Sequence, residues 1–160
     1  MPITFLPIGT IHTPHTDLAN MPIQPTAAKG IKGWIELNPE YVKGLKDLEG
    51  FSHIILLYHF HKSQGYKLTV KPYLDKTEHG LFATRAPKRP NPIGLSIVKL
   101  ISIDGNRLEI ENIDVLDGTP LLDIKPYVPV FDGQTDVRYG WLEKAKDEVP
   151  TKRSDDRFVG

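Results

Sequence analysis

The chain of 160 residues contains no cysteine. Disulfides, thiolate catalysis and cysteine-ligated zinc are therefore excluded. It has no apolar run of membrane-spanning length, and no cationic leader followed by a long apolar stretch. A cytoplasmic protein is expected. Net charge is also missing: 20 Lys and Arg balance 20 Asp and Glu, so unspecific attraction to phosphate would not hold the whole molecule on nucleic acid. No internal repeat is visible. A chain this long forms one domain and can bury a core unaided.

Proline, by contrast, is plentiful and concentrated. The stretch FATRAPKRPNPIGLS at 82–96 sets Arg85, Lys88 and Arg89 among Pro87, Pro90 and Pro92. Proline fixes its own φ and restricts the residue before it, so this loop has little entropy left to lose on meeting a ligand. A second segment, IDVLDGTPLLDIKPY at 113–127, groups Asp114, Asp117 and Asp123 around an Asp-Gly turn. Fixed cations on one segment and carboxylates on the other suit a ligand carrying both charges. Charge is uneven as well. From Lys62 to Arg89 there are seven cations and two anions, either a solvated face or a patch for an anionic substrate.

The patterning is mostly β. Strands are expected at 5–11, 31–37, 67–71 and 80–84, and at 51–61, read as a central strand buried on both faces. A hairpin is expected from 93–103 and 107–115 across Asp104-Gly105-Asn106. Apolar parity changes in its second strand, from Leu108 and Ile110 to Ile113 and Val115, which requires a bulge or a change of face. Short helices are expected at 39–47, with Asn38 as N-cap and Pro39 first, and at 140–147. The expected fold is a mainly β, small single-domain barrel or sandwich with one or two short helices, spanning 1–147. A polar tail follows at 148–160.

The segments FATRAPKRPNPIGLS, VLDGTPLLDIKPY and the upstream GFSHIILLYHFH resemble the TsaA-like family, whose best-known members are the bacterial tRNA methyltransferases TrmO. The resemblance runs in order from about Ile8 to about Val130. It implies a small β-barrel that binds S-adenosylmethionine, works as a homodimer and methylates N6 of threonylcarbamoyl-adenosine beside the tRNA anticodon. Matching motifs place cofactor contacts at Pro25, Thr26 and Ala27, at His61 and Lys62, at Arg85, at Ile97, and at Ile113, Asp114, Val115 and Leu116. Characterised bacterial members carry a further C-terminal domain, whereas this chain ends soon after the shared core. That leaves a small metabolite as an alternative acceptor.

Such a cofactor needs apolar walls, which Ile97, Ile113 and Leu116 supply, and main-chain groups near Val115 and Leu116 to read the adenine edge. Asp114 faces either the ribose or the sulfonium. Arg85 pairs with the cofactor carboxylate or an incoming phosphate, or else braces the loop. Lys88, Arg89 and Asn91 are candidate substrate contacts. Asp117 is a candidate general base, although Asp-Gly-Thr-Pro is also a plain turn sequence. Lys125 and Tyr127 pack beneath the site, and Trp34 and Trp141 read as core or interface. His53, His59 and His61 share strand parity, which leaves a cupin-like metal enzyme as a second alternative. No carboxylate stands at ligand spacing, so no metal ligands are assigned.

Overall fold

A computed structural model describes residues 1–16, 28–72 and 75–144. Six antiparallel strands close into a barrel. They are β1 (Gly9–His12), β2 (Lys32–Leu37), β3 (His53–His59), β6 (Ile93–Asp104), β7 (Arg107–Glu111) and β8 (Thr119–Pro126), in the spatial order β1-β2-β7-β6-β3-β8. Closure leaves no free edge in this sheet. A separate two-stranded sheet, β4 (Thr69–Val70) with β5 (His79–Gly80), lies between β3 and β6 in sequence.

Alternation along each strand fills the barrel. Ile11, Ile35, Ile54, Leu56, Val98, Leu108, Ile110 and Leu121 are essentially fully buried, each such side chain contributing about 1.5–3 kcal/mol. Strand β3 is not buried on both faces, as its unbroken apolar run suggests. Ile54, Leu56 and Tyr58 point inward, while Ile55 and Leu57 are half-buried on the outside. A closed barrel has only one interior, and the outward side chains of this strand are covered only in part.

Other boundaries differ for local reasons. The first strand starts at Gly9, because Pro7 lacks an N–H and Phe5 and Leu6 stay exposed. The segment 80–84 gives β5 and then a 3-10 helix, Leu81–Ala83. The expected helix after Asn38 is 3-10, Pro39–Leu45, and the Asn38 amide donates to Pro7 O instead of capping it. Another 3-10 helix, Gly140–Lys144, falls where the last helix is expected; residues 145–147 and the tail at 148–160 lie outside the described residues. A four-residue α-helix, Pro129–Asp132, is additional. Among the described residues no helix is long and apolar enough to cross a membrane.

The hairpin forms as expected, with a register shift between Leu100 and Ser102. The parity change has a definite cause. Strand β7 stops at Glu111, and Asn112 adopts a left-handed φ of 71°, a region that Asn tolerates better than most residues. Ile113 and Val115 are thereby turned back into the core, and Asp114 between them faces the end of the barrel.

Candidate functional site

Two polar residues stand on the inward faces of otherwise apolar strands: Tyr58 at the end of β3 and Ser96 near the start of β6. Both are buried. The Ser96 hydroxyl donates to Asp114 Oδ1 at 2.6 Å, and Tyr58 Oη lies 2.7 Å from Ser96 Oγ. Since the single Ser96 proton is committed to the carboxylate, Tyr58 must be the donor to Ser96. The result is a directed chain, Tyr58 to Ser96 to Asp114, whose members polarise one another. Burial pushes the Asp114 carboxyl up to about 6; the Ser96 bond, a backbone N–H and the Arg85 charge pull it part of the way back. Burial, reinforced by the Asp114 charge, drives the Tyr58 phenol above its usual range, so it stays protonated.

Gly94 makes room for this chain. It pairs with Tyr58 across β3 and β6, and a Cβ there would collide with the Tyr58 ring and lie 2.7 Å from Phe60 Cζ. Phe60 in turn packs edge-on against Tyr58, with centroids 5.5 Å apart. The glycine that follows the proline loop is thus required by a ring.

The proline loop and the acidic bend meet at this end of the barrel, where Arg85 acts electrostatically on both Asp114 and Tyr58. The loop is braced by Arg89, whose Nη1 donates to Thr84 O at 2.9 Å and Ala86 O at 3.0 Å, with its guanidinium over Phe82. Arg89, expected as a substrate contact, is thus also a brace of the loop. Lys88 is half-buried and Asn91 exposed. Asn91 accepts the Ile93 N–H through its carbonyl.

The bend is fastened to the end of β1. Thr13 Oγ1 donates to Val115 O, His15 Nε2 to Ile113 O, and the Thr13 N–H to Asp117 Oδ1. The N–H groups of Asp117 and Gly118 bond His15 O and Ile11 O. Asp117 also lies 3.4 Å from His12 Nδ1. This ties the Asp117 carboxylate to β1 rather than to the Asp114 cluster, and favours turn-holding over proton transfer. Leu116 O takes the Thr119 hydroxyl at 2.6 Å. The carbonyls of residues 113 and 115 thus keep only a second lone pair for any ligand, while Leu116 O also accepts the Thr119 N–H at 3.3 Å and has both lone pairs engaged.

The remaining expected residues are spread more widely. His61 and Lys62 follow the end of β3, and the His61 pKa is lowered by burial and by the Lys62 and His59 charges. Ile97 lies on the outer wall opposite Ile55, with parity opposite to Ser96. Pro25, Thr26 and Ala27 lie outside the described residues. Tyr127 packs edge-on against His53, and Lys125 pairs with Asp123 at 2.8 Å. Trp34 is sandwiched outside the barrel between His12 and Arg107. His53 and His59 sit at opposite ends of β3, about 20 Å apart at the usual strand rise. No group of three or more His, Asp or Glu among the described residues could hold a metal ion, so the cupin-like alternative has no ligand set there. Two concavities, of about 780 Å³ beside Tyr139 and about 540 Å³ beside Leu45, do not include Arg85 or Asp114. The buried, charge-coupled cluster is the stronger chemical signal.

Tyr58, Ser96, Thr13 and His15 were not legible as site residues from motif alone. Parity offers a signal for two of them: Tyr58 shares a face with Ile54 and Leu56, and Ser96 with Val98 and Leu100. A hydroxyl on a buried face needs a partner.

The sequence model of the tRNA-methyltransferase O N-terminal domain matches residues 10–133. The chain belongs to this family. Within the family it is 55% identical over 156 residues to a probable S-adenosyl-L-methionine-binding protein of Pyrococcus abyssi, covering 98% of this chain and 85% of that one. It is 35% identical to the Escherichia coli tRNA (adenine(37)-N6)-methyltransferase, covering 88% of this chain and 65% of that protein. The crystal structure of TrmO from Pseudomonas aeruginosa superposes with a TM-score of 0.75 at 40% identity, over 88% of this chain and 63% of that one. The TrmO N-terminal domain fold thus accounts for the barrel, while the solved relative extends well beyond it.

Proposed function

We propose that this chain is a cytoplasmic, homodimeric methyltransferase. It binds S-adenosylmethionine where the proline loop meets the acidic bend, and methylates N6 of threonylcarbamoyl-adenosine beside a tRNA anticodon. One observation carries the reading: Arg85 acts electrostatically on a half-buried carboxylate, Asp114, held by Ser96 at 2.6 Å, inside the span matching the family. The donor set fits the cofactor, which bears a carboxylate, a sulfonium and a ribose diol. The named relatives support both cofactor and acceptor class.

The bound cofactor supplies an electrophilic methyl group for in-line displacement. The protein's contribution is placement and electrostatics. Arg85 pairs with an anionic group of the ligand. Asp114, fixed by the hydroxyl chain from Tyr58, presents negative charge to the cationic side. It is ionised above about pH 6, and is better placed than Asp117 to take the proton released from N6. Ile113 and Val115 anchor the bend in the core, while the half-buried Leu116 and the outer-wall Ile97 offer apolar contact. Pro25, Thr26, Ala27, His61 and Lys62 complete the proposed cofactor set, and Lys88 and Asn91 face the acceptor.

The test is transfer of labelled methyl from S-adenosylmethionine to tRNA prepared with and without threonylcarbamoyl groups. Label is expected only in the modified tRNA. Label in both preparations would move the acceptor atom elsewhere, and label in a small-molecule pool would make the substrate a metabolite.

A further inference from the structure

Between β3 and β6 the chain leaves the barrel and builds an arm. Strands β4 and β5 pair within it, and Leu81 N–H bonds Leu68 O at 2.8 Å. Trp141 fastens it, stacking on His79 at 4.8 Å while its Nε1 donates to Ala83 O at 2.7 Å. Both ends of the arm are at the candidate site. Phe60 at one end packs on Tyr58, and Arg85 at the other acts on Asp114. Whatever docks on this arm is held next to the site.

The arm lies within the span of seven cations and two anions, in a chain with no net charge. One of the two carboxylates is directed to the arm's own groups: Asp75 Oδ1 accepts the N–H groups of Lys76 and Thr77, and Oδ2 lies 2.7 Å from His79 Nε2. Lys67, Lys71 and Lys76 are exposed. So are two rings, Tyr66 at 53% and Phe82 at 74%. A small anionic metabolite needs its cations converging on one point. Cations strung along an arm, interleaved with exposed rings, suit phosphates in series and unpaired bases.

The geometry points to this arm as the docking surface for a single-stranded RNA loop. Lys67, Lys71 and Lys76 meet its phosphates, and Tyr66 and Phe82 stack its unpaired bases. The inference rests on the tRNA reading above and specifies the surface that reading needs.

Binding of an anticodon stem-loop RNA, measured against salt, tests it. Neutralising all three lysines (Lys67→Gln, Lys71→Gln, Lys76→Gln) should lower the slope of log K against log salt by about 2, from about 0.7 per single-strand phosphate contact. S-adenosylmethionine binding and thermal midpoint should stay at wild-type values, since these side chains are exposed and outside the cofactor set. Tyr66→Ala with Phe82→Ala should weaken RNA binding at least about 30-fold with the salt slope unchanged. If the wild type binds and methylates RNA while the triple variant keeps its slope and affinity, the arm is overturned and the acceptor reading stands. If the wild type neither binds nor methylates RNA, both fall together.

Discussion

Replacing Asp114 by Asn should stabilise the protein while weakening its binding of S-adenosylmethionine. The Asp114 carboxyl is raised from 3.8 to about 6. In the unfolded chain it ionises freely, whereas in the folded protein ionisation is opposed by burial. Below about pH 4 it is protonated in both states and costs nothing. As pH rises from 4 to 6 the folded state holds the extra proton, so stability falls; above 6 the full penalty is present. At about 1.4 kcal/mol per pH unit that penalty is roughly 3 kcal/mol. An asparagine keeps an oxygen for the Ser96 hydroxyl and carries no charge. Urea denaturation of the two proteins from pH 4 to pH 8 should therefore give curves that agree near pH 4 and diverge up to pH 6. The variant should be more stable by up to about 3 kcal/mol at pH 7. A variant less stable than wild type at pH 7, with the same pH dependence, would show that no buried negative charge is carried at this position.

Removing the Ser96 hydroxyl (Ser96→Ala) strips a partner from both Tyr58 and Asp114. It should cost about 1–3 kcal/mol and move the carboxyl further up, shifting the denaturation profile to higher pH. Gly94→Ala places a methyl group against the Tyr58 ring and should cost about 1–3 kcal/mol in denaturant melts; relief of that cost by adding Tyr58→Ala would identify the collision. Asp117→Asn keeps an oxygen for the Thr13 N–H, and labelled-methyl assays should show transfer retained. Loss of transfer with cofactor binding intact would instead restore Asp117 as the general base.

What the sequence reveals depends on how local the cause is. The hairpin at Asp104-Gly105-Asn106 is written in its own turn residues, and the parity change after Ile110 announces the left-handed Asn112. Strand β8 is hidden because Pro120, Asp123 and Lys125 break its apolar pattern, and only pairing with β1 and β3 gives it a place in the wall. The outer wall of β3 escapes notice for the opposite reason: Ile55 and Leu57 look like core, and the barrel leaves them half-covered. At the site, Arg85 and Asp114 stand out through motif and charge. Tyr58 and Ser96 come from different strands, and their bond exists only once those strands pair. The clamp from Thr13 and His15 joins residues about a hundred positions apart, a relation no window of sequence contains.

Calorimetric titration with S-adenosylmethionine of wild type, Arg85→Ala and Asp114→Asn bears most directly on the claim that the proline loop and the acidic bend together hold this ligand. Each substitution removes a charged partner, and should weaken binding by about 10- to 100-fold, from about 1.5–3 kcal/mol for a charge-assisted bond. Three superimposable isotherms would place the cofactor away from both segments and contradict the account.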